Sequence, residues 1–183
     1  IRVWRPAPAA RVTGRRVALA ILLAAVLGGA GLWYAQVFAF YERRPEAEIR
    51  LTPSGGGGPA AIATTKLRAI DAASSPIRFR ACFRVADPAA MEGRFARIDD
   101  PEPRNAPFWF PCFDAAAIAA ALAEGRARAF LGEANITYGI DRVVAIGDDG
   151  RGFAWHRINR CGAAVFDGDL APEGCPPPPD SNG

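Results

Sequence analysis

The sequence contains a single histidine, His156, among 183 residues. Zinc sites draw mainly on histidine and cysteine at short spacings, and none of the four cysteines has such a spacing. A Ser-His-Asp triad needs a histidine base, and no GxSxG motif is present. We therefore interpret His156 as a surface or packed strand histidine. We predict no metal site, no cofactor and no enzymatic activity.

Lysine is nearly absent, since Lys66 stands beside 21 arginines. The formal net charge of +3 comes from the N-terminal segment, where five arginines and no acidic residue precede position 17. After position 40 there are 17 basic and 19 acidic residues. A nucleic-acid-binding surface needs a basic patch in the folded part. The composition therefore predicts no nucleic-acid partner.

Charged residues are also missing between Val17 and Phe40, a run of 24 residues. As a helix this run is about 36 Å long, enough to cross a hydrocarbon core of about 30 Å. We predict a transmembrane helix over residues 17–41. A cleaved secretory signal is the alternative, because Arg15–Arg16 and Val17–Leu27 have the form of its basic and apolar regions.

The flanking charges predict how this helix is oriented. Cytoplasmic flanks carry the excess of arginine and lysine, so residues 1–16 are predicted to be a basic cytoplasmic tail. The C-terminal part is then periplasmic, and the protein is single-pass in the bacterial inner membrane, with the lipid bilayer as one partner. Ala20, Ala24 and Gly28 lie at four-residue spacing, which lets a second helix approach closely. They predict a homodimer or another helix partner, although an alanine-rich composition explains them equally well.

Glycine and proline divide the rest of the chain. Gly55–Gly58 predicts a flexible juxtamembrane spacer over residues 42–60, and Pro176–Pro179 predicts a proline-rich tail over residues 171–183. Residues 61–170 are predicted to form an α+β domain, a mostly antiparallel sheet with one packed helix. The chain begins with Ile1 rather than methionine, so the start codon is left open.

Two segments of this domain have clear helix and strand patterns. Ile77–Val85 alternates apolar residues with a polar, arginine-rich set, which predicts a strand with one apolar and one cationic face. Ala115–Glu124 is predicted to be a helix, with Asp114 as N-cap and Gly125 as C-terminal stop. Ala127–Leu131 is predicted to be a further strand.

A hairpin is predicted from Asp141–Gly147 and Gly152–Ile158, with Asp149-Gly150 as a two-residue turn. In that register Ile146 faces Phe153 and Val144 faces Trp155 on an apolar face. Ala145 lies across from Ala154 on the other face, where the alanine-rich helix would pack.

The four cysteines all follow the anchor, and an even number in an oxidising compartment predicts two disulfides. Three pairings are consistent with the sequence. We favour Cys82–Cys112, which ties the strand to the start of the helix, and Cys161–Cys175, which closes a short loop. A thiol-redox pair is the alternative, because Cys82 lies among arginines and Cys112 just precedes a helix.

Two further groups are candidate contacts. Arg78, Arg80 and Arg84 could bind an anionic ligand or a lipid headgroup, unless they pair with acidic residues or remain solvated. The run Phe108-Trp109-Phe110 lies between prolines. It is a candidate partner contact centred on Trp109, and core filling is the alternative.

Several stretches resemble an uncharacterised family, a domain of unknown function in short single-pass membrane-anchored proteins of Rhodobacter-like alphaproteobacteria. They are the anchor from Arg15 onwards, Asp71–Phe83, Trp109–Asp114, Phe130–Glu133, Tyr138–Val144 and Gly174–Pro176. The resemblance implies a location but no activity. We expect a non-enzymatic accessory or assembly subunit that acts through its periplasmic domain. A ligand-binding sensor domain and a thiol-redox protein are the alternatives.

Overall fold

The computed structural model describes residues 13–179 and divides the chain into two units, 1–39 and 40–183. In the first unit, helix α1 spans Gly14–Tyr34 and continues as a π-helical turn, Ala35–Ala39. These 26 residues have a mean hydropathy of 2.1 over their most apolar window, and none of that window is buried. Length and composition make this helix a candidate membrane span, a property that signal sequences share.

The helix begins three residues before the predicted start, because Gly14, Arg15 and Arg16 join it. It ends at Ala39 rather than at residue 41. Arg2, Arg5 and Arg11 of the predicted basic tail lie outside the described residues.

The second unit is built on a six-stranded antiparallel sheet, as predicted for an α+β fold. Its strands are β1 Glu42–Arg43, β4 Thr65–Asp71, β5 Arg80–Arg84, β6 Ala127–Thr137, β7 Ile140–Gly147 and β8 Arg151–Ile158. They follow the spatial order β1-β4-β5-β8-β7-β6. The predicted strand at 127–131 thus continues for six more residues, and the strand predicted at 77–85 is shorter.

The predicted flexible spacer over residues 42–60 is wrong. Strand β1 pairs with β4, and Arg50–Leu51 (β2) forms a second small sheet with Ala60–Ala61 (β3). Ile49 and Leu51 are 1% and 0% exposed. The segment belongs to the domain because its apolar side chains complete one core, while Gly55–Gly58 lies in the turn between the two short strands.

Each face of the large sheet carries its own core. Phe79, Phe83 and Ile146 lie on the face that the β2–β3 segment covers. The opposite face carries Ala145 and Trp155 together with Ile118, which belongs to the helix Ala115–Ala123. Both faces of the central strands are therefore buried, and few side chains of β7 reach solvent.

The hairpin between β7 and β8 is present, but its predicted register is wrong by one residue. Ala145, not Ile146, lies opposite Phe153, and Val144 lies opposite Ala154. The backbone N–H of Gly150 donates to the carbonyl of Gly147 at 2.9 Å, and Gly150 has a φ of +77°. The turn therefore has three loop residues with glycine in the left-handed position, instead of two.

Helix α2, Ala115–Ala123, matches the prediction closely. The Asp114 carboxylate accepts from the N–H of Ala117 at 3.0 Å, and Gly125 adopts a φ of +71°. Ile118 packs into the core that contains Ala145, as expected. The predicted alanine face is wrong, however, because Ala154 lies in the core on the opposite side of the sheet.

A further helix, α3 Arg160–Phe166, was not predicted, so the expectation of one packed helix is corrected. Asn159 caps it by accepting from the N–H groups of Cys161 and Gly162 at 3.0 Å each. Gly162 lies against Gly139, where a Cβ on Gly162 would approach the Gly139 carbonyl oxygen to 2.3 Å. The helix was not predicted because it has only seven residues, too few to show the repeating apolar pattern by which a helix is recognised in sequence. It is held instead by its polar cap and by the close contact between the two glycines.

Candidate functional site

The four cysteines form the two predicted disulfides, Cys82–Cys112 and Cys161–Cys175. Within residues 13–179 there is no free thiol and no cluster of ligands that could hold a metal ion. Cys82 is buried and Cys112 is half-buried beside the start of α2. Thiol chemistry at this pair would therefore require prior reduction of the disulfide.

The buried guanidinium of Arg80 fastens the proline-rich loop to the sheet. Arg80 is 5% exposed, and its Nη1 donates to the carbonyls of Ile77 and Phe79 at 2.9 and 2.7 Å. Its Nε donates to the carbonyl of Arg104 at 2.9 Å, and its Nη2 to that of Asn105 at 2.9 Å. Burial lowers the pKa of Arg80 to about 10, so the side chain remains a cation at neutral pH. Its acceptors are backbone carbonyls rather than the acidic side chains proposed from sequence.

The loop that Arg80 holds presents aromatic side chains at its tip, residues 107–111, which we call the aromatic loop. Phe108 is 70% exposed, whereas Phe110 is 8% exposed. Trp109 is half-buried and packs edge-on against Tyr41, with ring centroids 5.5 Å apart. The run is thus divided: Phe110 fills the core, Trp109 lies at its edge and Phe108 is largely exposed.

A groove of about 380 Å³ lies between this loop and the outer strand β4. Its lining is mainly apolar and includes Leu67, Ile70 and Trp109, with Arg43 and Arg68 also bordering it. Strand β1 covers the outer side of β4 only at its last residues, where Glu42 and Arg43 pair with Asp71 and Ile70. The groove is therefore an open, apolar surface with a cationic border.

Arg78, Arg80 and Arg84 do not form one anionic-ligand surface. Arg80 is covered by the loop, and the guanidinium carbon of Arg78 lies 5.6 Å from the ring centroid of Tyr41. Arg84 is exposed at the far end of β5, where its cross-strand neighbour is Arg151. The alternation that placed the three arginines on one face did not reveal that a loop and a disulfide cover most of that face.

Sequence reasoning missed a buried pair formed by Arg142 and His156, which lie opposite each other on β7 and β8. The Nε of Arg142 donates to His156 Nε2 at 3.1 Å, and His156 Nδ1 donates to the carbonyl of Pro76 at 2.6 Å. The Phe79 ring stacks on the imidazole of His156, with the two ring centroids 4.9 Å apart. The guanidinium carbon of Arg142 lies 4.0 Å from the centroid of the Phe79 ring. In the predicted register His156 would have faced Val143. The one-residue error in register therefore prevented the pair from being predicted.

Burial, reinforced by the neighbouring Arg142 charge, lowers the pKa of His156 to about 4. The histidine is therefore neutral near pH 7, with Nε2 as the acceptor. Both ring nitrogens already have partners, so the side chain is arranged as a packed strand histidine rather than as a general base. This agrees with the interpretation made from sequence.

The small residues Ala20, Ala24 and Gly28 lie on α1 and are exposed, and no heavy atom lies within 4 Å of a Cβ added to Gly28. The helix partner that they predict remains a prediction.

The profile of a protein family described as a family of unknown function (DUF6446) matches residues 49–176, more than half of the chain. No curated protein and no solved structure matches.

Proposed function

Because the chain belongs to the DUF6446 family, whose function is unknown, we propose from its own residues that it is a membrane-anchored contact domain. Its role is that of a non-enzymatic accessory or assembly subunit, and its aromatic loop inserts into an apolar pocket of another protein. The observation that carries this proposal is the exposure of Phe108 at the tip of a loop that a buried arginine holds in place.

Burying a cation costs free energy unless its N–H groups are hydrogen-bonded. The Arg80 guanidinium donates to the carbonyls of two loop residues and of two residues near it in sequence, so displacing the loop would leave a buried cation without these acceptors. The Cys82–Cys112 disulfide restrains the other end of the same loop. A loop that is ordered before binding loses little entropy on association. Together these restraints support a preformed contact element rather than a passive connection.

The chemistry of the loop matches that of known interaction hot spots. Aromatic side chains are enriched where proteins meet, and one anchor that fills a pocket often dominates the binding free energy. Phe108 supplies such an anchor, with Trp109 and the apolar groove beside it. Because Arg43 and Arg68 border the groove, we expect the partner surface to be apolar with an acidic rim.

We place this domain in the periplasm, at the inner membrane of an alphaproteobacterium, with α1 as an uncleaved anchor and residues 1–16 in the cytoplasm. The five arginines before the charge-free run Val17–Phe40 support this orientation through the positive-inside rule. The two disulfides support an oxidising compartment. A second helix along Ala20, Ala24 and Gly28 would add a contact within the bilayer, either from another copy or from the partner.

The test is site-specific crosslinking in native membranes, with a photoreactive phenylalanine analogue at position 108. The matched control carries the analogue at Leu170, which is 92% exposed. We expect a discrete adduct from position 108 and none from position 170. Phe108→Ala should also abolish co-purification of that same partner, whereas Leu170→Ala should not. Equal adducts from both positions, or recovery of an uncrosslinked monomer alone, would refute the proposal.

A further inference from the structure

Four cationic side chains converge on one open surface of the sheet. Lys66 and Arg68 come from β4, Arg84 from β5 and Arg151 from β8, and all four are exposed. They line a groove of about 420 Å³, which we call the cationic groove. Since neighbouring strands are about 4.8 Å apart, the three strands carry these charges across roughly 10 Å.

The backbone register brings these charges together at a cost. Arg84 lies directly opposite Arg151, an arrangement of like charges that destabilises a sheet. The β4 register shifts between Thr65 and Arg68, and Lys66 has a φ of +54°. Such bulges redirect side chains and are enriched next to functional sites. The strand is therefore distorted at Lys66, just before the regularly paired Arg68.

The charge of the groove is poorly compensated within the protein. Asp149 pairs with Arg151 at 2.6 Å, and the Asp149 carbonyl accepts from Arg84 at 3.4 Å. Neither Lys66 nor Arg68 has an ion pair within residues 13–179, whereas other exposed arginines do. The groove thus has four cationic side chains and one paired carboxylate, whereas after position 40 the acidic residues outnumber the basic ones.

The groove is also concave rather than a flat charged surface. Its floor includes the Cys82–Cys112 disulfide, and Phe153 lies beside it. The disulfide and the ring contribute little polarity of their own, so a bound anion would interact mainly with the surrounding cations. A cleft lined by one sign of charge concentrates ions of the opposite sign.

We propose that the cationic groove binds a compact anion that carries phosphate groups. The guanidinium groups of Arg84 and Arg151 can each donate two hydrogen bonds to a phosphate, and Lys66 adds a point charge. The same chemistry is offered by a free phosphorylated molecule and by the headgroup of an anionic phospholipid. Arg68 also borders the groove beside Trp109, so the two surfaces adjoin, but the anion proposal does not depend on the protein contact at Phe108.

The experiment uses the full chain in neutral detergent micelles. One arm titrates inorganic pyrophosphate, and the other titrates the short-chain lipid dihexanoyl phosphatidylglycerol. The reference lipid is dihexanoyl phosphatidylcholine, whose zwitterionic headgroup has no net charge. The test variant is Lys66→Gln/Arg68→Gln. The control, Arg50→Gln/Arg126→Gln, removes the same net charge from exposed arginines that pair with Glu48 and Glu124.

We expect saturable binding of at least one anionic probe, weakened about 30-fold in the test variant, since each cation near an anionic surface contributes about a fivefold factor. The control variant should bind as the unmodified protein does. Binding of pyrophosphate without the lipid would identify a free ligand, and tighter binding of the lipid would identify a headgroup. Equal weakening in both variants, or binding of neither anion, would overturn the proposal. Circular dichroism of each variant checks that the fold is retained.

Discussion

The buried His156 should make the protein less stable in acid, over a pH range that its environment defines. In the unfolded chain this histidine takes up a proton near its ordinary pKa of 6.5, whereas in the fold its pKa lies at about 4. Between these values the unfolded state binds a proton that the folded state does not. The free energy of unfolding therefore falls as the pH decreases from 6.5 to 4 and is unaffected by this residue above that range.

The size of this effect follows from the two pKa values. Each pKa unit corresponds to about 1.4 kcal/mol, so the interval from 6.5 to about 4 predicts a loss of about 3 kcal/mol at or below pH 4. The physical source is the burial of the imidazole and the charge of Arg142, 3.1 Å from Nε2. Many small domains are stable by only 5–15 kcal/mol, so a loss of this size is measurable.

The assay is urea unfolding of the full chain in neutral detergent micelles, followed by tryptophan fluorescence at pH values from 7.5 to 4. His156→Gln is the comparison, because glutamine does not titrate and carboxylates contribute equally to both proteins. We expect the difference in unfolding free energy between the two proteins to shrink by about 3 kcal/mol as the pH falls. Parallel curves for the two proteins would refute the reasoning.

Two further predictions concern packing and the disulfides. Gly152→Ala should lower the free energy of unfolding by about 1–3 kcal/mol through overpacking, since the new Cβ would lie 2.1 Å from the Phe83 ring. The double variant with Phe83→Leu should lose less stability than the sum of the two single variants. Additive losses in urea unfolding would argue against the contact. Replacement of Cys82 and Cys112 by alanine should cost about 3.6 kcal/mol, from loop-closure entropy over a sequence separation of 30, and an unchanged thermal midpoint would contradict it.

The parts of the fold that sequence predicts well are those with local signals. Asp114 and Gly125 mark the two ends of α2 by rules that need no tertiary information, and Asp149-Gly150 locates the hairpin turn. The caps and the turn depend on backbone preferences of a few adjacent residues, so they survive whatever packs around them. The disulfide pairing follows from the order of the elements, since Cys82–Cys112 ties a strand to the start of a helix and Cys161–Cys175 closes a short loop.

Features that depend on long-range packing were missed. One extra loop residue changed every cross-strand partner in the hairpin and concealed the Arg142–His156 pair. The burial of Arg80 was not foreseen because two of its acceptors, the carbonyls of Arg104 and Asn105, lie about 25 residues away in an irregular loop. The cationic groove was missed for a similar reason, since Lys66, Arg84 and their neighbours come from separate strands. Such sites require the register of the whole sheet.

Because the acceptors of Arg80 are backbone carbonyls, the attachment of the aromatic loop should not depend on pH in the acidic range. A carboxylate partner would lose its charge on protonation and release the arginine as the surroundings became acidic. Backbone carbonyl oxygens do not take up protons in that range, so the guanidinium keeps every one of its acceptors. Acid that weakens the core around the histidine should leave the attachment of Phe108 intact until the sheet itself unfolds.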